Sequence, residues 1–487
     1  MDFGKLIIFQ ARLRQEEPAV AFTGGVATYG MLAKAVLAAA DRLADTGLQK
    51  GALVAIDVRN PFHHAVLIVA LGLRGMVSAS VQTSFNVQMS GLVPDAILVD
   101  GYARHPDGLR LIAVDEDWFL IDPATPPDFV RLLSLPGFPD ENAVIRVIFS
   151  SGTTGVPKST GFTSAILGKR LGHASLTHGG GSIGGIRELC LMGFSTLGGY
   201  MATIGALASG GVAAYATQPA DVLHLTRMFN LDMLIVAVFQ LQVLLQALGD
   251  ARPPPTLRTL IVGGSKIPGP LLKEASARLC QNVLFGYGST EAGSISHAPG
   301  SALAAIEGAA GYVVPWVTLE AVDEEDRPLP PGKEGIFRVR SDEQAHYVVN
   351  DPDNSLLYRD GWFYPGDIGT IREDGLVIVT GRSAEVINRG GSIVAPDLIE
   401  RVLAERPGVK EAAAVGVPTR TGLDEICAVV VTDGAFNEQE LLAFCRDKLA
   451  DKAPGAIRRV SSIPRTDMGK IKRKQLREEV LAAQARA

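Results

Sequence analysis

Two short apolar runs, ALVAIDV at residues 52–58 and PDAILV at 94–99, flank the helix-like stretch HHAVLIVALGLRG. Both runs are rich in β-branched residues and of strand length, so the succession reads strand, helix, strand, with a parallel sheet as the result. The alternation recurs through VIRVIF at 144–149, a helical stretch at 220–230, and then MLIVAVF, QLQVLLQALG, TLRTLIVGG, LLKEASARL and NVLFGYG. Sheets covered by helices follow, and the fold class is α/β.

Beyond about residue 310 the texture changes. Segments such as VTLEAVDEEDRPLPPGKEGIFRVRS and WFYPGDIGTIREDGLVIVTG alternate polar and apolar residues between Gly, Pro and Asp turns, which suits antiparallel strands. After Gly381 the chain passes into a short mixed unit: a helix at APDLIERVLAERPG, strands at AAAVGVP and ICAVVVTDG, a helix at NEQELLAFCRDKLA and a basic tail. A chain of 487 residues exceeds what one core holds. The boundary is expected at Arg382 to Ala384, dividing a large unit, 1–382, from a small one, 383–487.

Composition excludes several function classes. With 47% hydrophobic and 20% charged residues the chain has ample material for a core. A net charge of −6, with Lys and Arg scattered except for a short run from Lys470 to Lys474, gives no basic face for nucleic acid. Cys190, Cys280, Cys427 and Cys445 lie far apart without metal-ligand spacing, and read as buried reduced thiols of a cytoplasmic protein. No apolar stretch of signal-peptide type opens the chain. From Leu189 to Pro219 there is no charged residue, which is length enough for a membrane span. Polar residues and glycines dilute that stretch and no basic cluster flanks it, so it reads as a buried helix followed by a strand, with no transmembrane segment.

The strand VIRVIF runs directly into SSGTTGVPKST at 150–160. Within it GTTGVPKS nearly spells the phosphate loop G-x-x-x-x-G-K-[ST], with Pro157 where the second glycine belongs. That loop wraps phosphates with consecutive backbone N–H groups, and a proline has neither the N–H nor a free φ, so the reading fails there. What remains is a set suited to an anion: hydroxyls of Ser150, Ser151, Thr153 and Thr154, two glycines that permit close approach, and the charge of Lys158. On composition alone an ordinary Ser/Thr/Gly surface loop fits equally.

SSGTTGVPK resembles the signature loop of the AMP-forming adenylating enzymes, the superfamily of acyl-CoA synthetases, peptide-synthetase adenylation domains and firefly-type luciferases. Four further segments resemble that family's later motifs in its order: GYGSTEAG at 286–293, GWFYPGDIG at 361–369, GRSAEVINRGGSIVAPDLIE at 381–400 and PRTDMGKIKRKQLRE at 464–478. The resemblance implies a large N-terminal domain of helix-covered sheets with a small β-barrel-like part, and a small mobile α+β C-terminal domain. It implies ATP, Mg2+ and coenzyme A as the cofactor set and a carboxylic acid as substrate, with a homodimer allowed.

By the same resemblance Thr153, Thr154 and Lys158 orient the β- and γ-phosphates, Tyr287 stacks on adenine, Thr290 meets the α-phosphate and Glu291 helps to hold magnesium. Gly286, Gly288 and Ser289 belong to the same nucleotide motif, and Gly264 and Ser265 to the segment lining the adenine and acyl sites. Asp367 accepts both ribose hydroxyls and Arg382 reaches ribose or phosphate. Lys470 enters the site during adenylation, where a cation stabilises charge gathering around the α-phosphorus. The small domain then rotates near Ala384 and presents Gly390 and Gly391 to a pantetheine arm. Without the resemblance, these residues also suit turns, a surface arginine and a solvated basic tail.

Four positions depart from the family pattern. Ser159 replaces the glycine after the loop lysine, Ser195 in MGFS stands where a histidine or aromatic usually borders the acyl pocket, Ala384 holds the hinge place and Asn388 replaces a common lysine. The acyl pocket is expected from 194–200, Val238 to Gln242, Ser265 and Gly288 to His297, with Lys266 and His297 either meeting a second polar group of the substrate or facing solvent. The leading function is an AMP-forming acyl-CoA synthetase. A stand-alone enzyme loading a carrier protein and a non-catalytic adenylate-binding protein are the alternatives.

Overall fold

The computed structural model describes residues 1–81, 93–101, 108–150, 158–177, 185–249, 251, 253, 256–264, 267–303, 305–306, 308–323, 325–345, 347–348, 357–382, 387–389, 392–394, 396–418, 424–434, 436–449, 453–466 and 469–486. The opening motif folds as its pattern requires. Leu53–Asp57 and Ala96–Val99 are parallel neighbours, and the helix Pro61–Arg74 lies between them in sequence. That helix starts sharply because the Asn60 side chain accepts from the N–H groups of Phe62 and His63, while Pro61 sits where its missing N–H costs nothing. It ends at Gly75, whose φ of 70° is the left-handed conformation that favours glycine.

Two sheets carry the large part of the molecule. In one, Val77–Ser80, Leu53–Asp57, Ala96–Val99 and Leu111–Ala113 are parallel to Val144–Ser150, and Lys158–Thr163 returns antiparallel to it. In the other, fifteen strands join among the described residues. Pro18–Phe22, Val212–Tyr215, Arg187–Cys190, Met233–Ala237, Thr259–Gly263 and Val283–Ser289 run parallel side by side. The sheet then turns antiparallel through Gly293–Pro299, Ala309–Val313, Leu376–Arg382, Asp367–Ile371 and Gly335–Ser341. The alternating texture past residue 310 therefore marks a real change of pairing, from parallel to antiparallel. The uncharged stretch forms the helix Leu197–Ala208 and the strand Val212–Tyr215, and no helix among the described residues is long and apolar enough to cross a membrane.

The C-terminal segment has its own cores. Val409–Pro418, Asp424–Thr432 and Ala456–Arg459 form a sheet flanked by the helices Pro396–Ala404, Glu438–Leu449 and Arg473–Arg486. Pleating sends alternate residues to opposite faces. Ala414, Ile426 and Val430 pack with Ile399, Leu403 and Ile457 on one side, and Val415, Val429 and Cys427 with Leu476 and Val480 on the other. The basic tail is thus corrected to a packed helix. Arg473 is half-buried and donates to Glu400 and, at 3.1 Å, to Asp397, while Leu476 and Val480 face the sheet.

Candidate active site

The three residues assigned by sequence to adenine and ribose come together. Asp367 and Arg382 are directly opposite on adjacent antiparallel strands, and Arg382 Nε donates to Asp367 Oδ1 at 2.8 Å. The Tyr287 hydroxyl donates to Asp367 Oδ2 at 2.6 Å. Three strands separate Val283–Ser289 from Asp367–Ile371 in the sheet order, a span of about 19 Å if the sheet were flat. The hydrogen bond therefore records how strongly the antiparallel end curls back on itself. Asp367 is 4% exposed. Each of its oxygens holds one protein donor and keeps a second lone pair, so the carboxylate can still accept two further hydroxyls. Burial and the Asp367 charge push the Tyr287 hydroxyl well above its ordinary value, which keeps it a donor.

Thr290 and Glu291 lie between Val283–Ser289 and Gly293–Pro299, and a residue that sequence reasoning missed fixes them. Arg170, on the helix Ser164–Thr177 that follows the signature loop, donates Nη1 to the Thr290 carbonyl at 3.0 Å and Nη2 to the Glu291 carbonyl at 3.0 Å. Its Nε and Nη2 also donate to the Glu343 carbonyl at 3.1 and 2.6 Å. The guanidinium lies 4.8 Å over the Phe162 ring, and its burial lowers its pKa to about 10, still a cation at neutral pH. Beside it, His173 Nδ1 meets the Glu343 carboxylate at 2.6 Å and stacks on Trp316 at 4.0 Å. The signal for Arg170 was faint, a basic Lys169–Arg170 pair in a helix of small and apolar residues, AILGKRLG. Glu291 itself is buried, as is Ala292 behind it.

Lys470 sits on a tight turn. Its N–H meets Thr466 Oγ1 at 3.1 Å, and its carbonyl accepts from the Thr466 N–H at 2.7 Å. Arg465 donates to the Gly469 carbonyl at 2.8 Å and holds Glu411 Oε2 through two nitrogens at 3.0 and 2.7 Å. Gly469 has φ of 77°, and a β-carbon placed there would stand 2.5 Å from Phe239 Cβ. The turn therefore rests on the helix Val238–Leu248, one of the segments expected at the acyl pocket. The same helix is tied to the chain just before another such segment, 194–200, since Gln240 Nε2 donates to the Leu191 carbonyl at 2.7 Å. His297 pairs in register with Gly286, and burial lowers its pKa, so the imidazole is neutral.

Gly264 takes φ of 87° at the end of Thr259–Gly263, and Gly288 leaves no room for a side chain against the Gly293 carbonyl. Gly286 and Ser289 lie on Val283–Ser289, and the Ser289 hydroxyl accepts from the Ala292 N–H at 3.0 Å. Ser150 and Lys158 are paired ends of the hairpin that brackets the signature loop. Ser151, Thr153, Thr154, Ser265, Lys266, Ala384, Gly390 and Gly391 lie outside the described residues. Ser159 is fully buried, opposite Phe149.

Known proteins share this architecture along the whole chain. Residues 101–346 match the model of the AMP-binding enzyme family, and residues 398–470 match that of the AMP-binding enzyme C-terminal domain. The fatty acid–[acyl-carrier-protein] ligase ScoC of Streptomyces coeruleorubidus is 28% identical over 98% of this chain and 96% of its own. The 2-succinylbenzoate–CoA ligase of Geobacillus sp. (strain WCH70) is 28% identical over 96% of each chain. O-succinylbenzoate coenzyme A synthetase of Bacillus subtilis, solved with ATP and magnesium ion, superposes with a TM-score of 0.85 at 22% identity, covering 97% of this chain and 99% of that one. With Tyr287, Asp367 and Arg382 gathered on one curled sheet and the first family model spanning half the chain, this protein belongs to the AMP-binding enzyme family.

Proposed function

We propose that the chain activates a carboxylic acid with ATP to an acyl-adenylate, releasing pyrophosphate, and then transfers the acyl group to the thiol of coenzyme A. The observation that carries this is the buried Asp367 carboxylate, bracketed by Tyr287 and Arg382 with two lone pairs to spare, which suits a ribose diol beside a stacked base. Thr153, Thr154 and Lys158 take the β- and γ-phosphates, Thr290 the α-phosphate, and Lys470 answers the charge that gathers as the carboxylate oxygen attacks the α-phosphorus.

The donor chemistry suits magnesium. Among the described residues no group of three or more His, Cys, Asp or Glu side chains could hold a metal ion, and Glu291 is a single buried carboxylate. One carboxylate completed by substrate phosphates is the set this ion favours, and bound there it would neutralise phosphate charge. The four cysteines are buried free thiols, which accords with a reducing, cytoplasmic setting. Thioester formation belongs with Gly390 and Gly391, where glycines let a pantetheine arm pass close to backbone.

The likeness to a carrier-protein ligase at the same identity as a CoA ligase makes the acceptor the point to test. Fatty, aromatic and dicarboxylic acids are screened for ATP-dependent pyrophosphate release, with CoA and with a phosphopantetheinylated carrier protein. CoA-dependent turnover with thioester formed is the expected result. Adenylate formation with transfer only to the carrier protein replaces the acceptor, and silence across the panel overturns the enzyme reading.

A further inference from the structure

A buried basic cluster outside the nucleotide residues holds the segment that leads from Arg187–Cys190 into the helix Leu197–Ala208. Arg146 is the third residue of Val144–Ser150 and is fully buried. Ser78 is its register partner on the neighbouring strand, and the two-residue pleat puts Ser80 on the same face as Ser78. The guanidinium donates to Ser78 Oγ at 3.2 Å, to Ser80 Oγ at 2.5 Å and to the Phe194 carbonyl at 2.7 Å, and it lies 4.6 Å over the Tyr200 ring. Ser80 Oγ also meets His64 Nε2 at 2.7 Å, and His64 Nδ1 meets the Val58 carbonyl at 2.9 Å. Since a carbonyl only accepts, Nδ1 carries the proton and Nε2 accepts from the serine hydroxyl. The His64 ring stacks on Phe194 at 4.2 Å, and Tyr215 lies 5.0 Å from that same ring. Burial pushes His64 down to about 3, so it is a neutral partner.

The arginine is therefore a buried cation answered by hydroxyls, a carbonyl and an aromatic face. Apolar replacements of such groups are often neutral or stabilising, so stability alone does not account for it. Its backbone target gives the better reason. Phe194 immediately precedes Ser195, where the family pattern has a bulky side chain at the acyl pocket. With only a serine at that place, the backbone beside it forms more of the wall, and where that backbone sits then bears on the shape of the pocket.

We propose that Arg146, backed by Ser80 and His64, is a positioning residue that fixes the backbone of Phe194 and Ser195 and so sets which carboxylic acids are accepted. This rests on the proposed function only for its second half. In Arg146→Met, amide hydrogen exchange in peptides covering 191–200 should accelerate about tenfold, with the small C-terminal unit unchanged. The KM for the acid should rise about tenfold while that for ATP stays within about twofold, and Arg146→Lys should regain part of both. If Arg146→Met does not fold, Ser80→Ala, which removes the hydroxyl shared by Arg146 and His64, is read in the same way. Unchanged exchange across 191–200 overturns the proposal, as does a parallel rise of both KM values with no rescue by lysine. A parent chain that activates no acid overturns the proposed function and the selectivity half, and exchange still decides the positioning.

Discussion

Asp367 shows how two neighbours can prepare a carboxylate for a third. Tyr287 and Arg382 fix its two oxygens from different strands, so the group is oriented before any nucleotide arrives. A hydrogen bond to a charged acceptor contributes about 1.5–3 kcal/mol. Tyr287→Phe keeps the ring and removes only the donor, so ATP affinity measured by calorimetry should fall about tenfold, with acid binding unaffected. An unchanged affinity would mean that the hydroxyl does not orient Asp367. Glu188 offers a second test at this scale. Burial, aided by nearby Asp232, raises its pKa from 4.5 to about 8. Between those values the native chain keeps a proton that the unfolded chain has lost, so stability falls as pH rises through that window. Glu188→Gln removes this linkage. Its Tm relative to the parent should be more favourable at about pH 8.5 than at about pH 5, and an equal offset at both would show ordinary titration.

At the level of elements, the helix Ser164–Thr177 joins the strand after the signature loop to the turn at Thr290 and Glu291 through Arg170. Its planar fork reaches three carbonyls at once, which a lysine cannot reproduce. Arg170→Lys is expected to lower kcat and raise the magnesium requirement about tenfold, with little effect on the KM for the acid, as read from pyrophosphate release against magnesium concentration. A variant with unchanged magnesium dependence would remove Arg170 from the positioning of Glu291. The elements themselves were legible wherever the hydrophobic period was clean, as in ALVAIDV, MLIVAVF and LLKEASARL. The split of MLIVAVF was not, since Val238 and Phe239 open a helix after the strand ends at Ala237. Helix and strand share apolar residues, and the switch is made by Gln240, whose side chain accepts from the Ala237 N–H at 2.9 Å.

Over the whole molecule, sequence motifs picked out Tyr287, Asp367 and Arg382, which the fold brings together, because each lies in a turn or strand end of distinctive composition. They were silent on Arg146 and Arg170, which act through partners 48 to 173 residues away and leave little local trace, a charge within the apolar VIRVIF and one half of a Lys-Arg pair. The basic run near the C-terminus misled for the opposite reason: Arg473 and Lys474 look solvated in sequence, and only the placement of Glu400 and Asp397 shows Arg473 packed. The proposed division of labour between two units makes a clean kinetic prediction. Lys470→Ala should slow adenylation about a hundredfold or more while thioester formation from supplied acyl-adenylate survives. Equal loss in both half-reactions would contradict a lysine used in only one.

The turn that carries Lys470 is braced at both ends, by Arg465 on Glu411 before it and by Arg473 on Glu400 and Asp397 after it. Lys470 is consequently flanked by residues tied to the sheet and helices of the C-terminal segment. In the proposed rotation Lys470 travels with those elements, and Gly469 has to leave its place against Phe239.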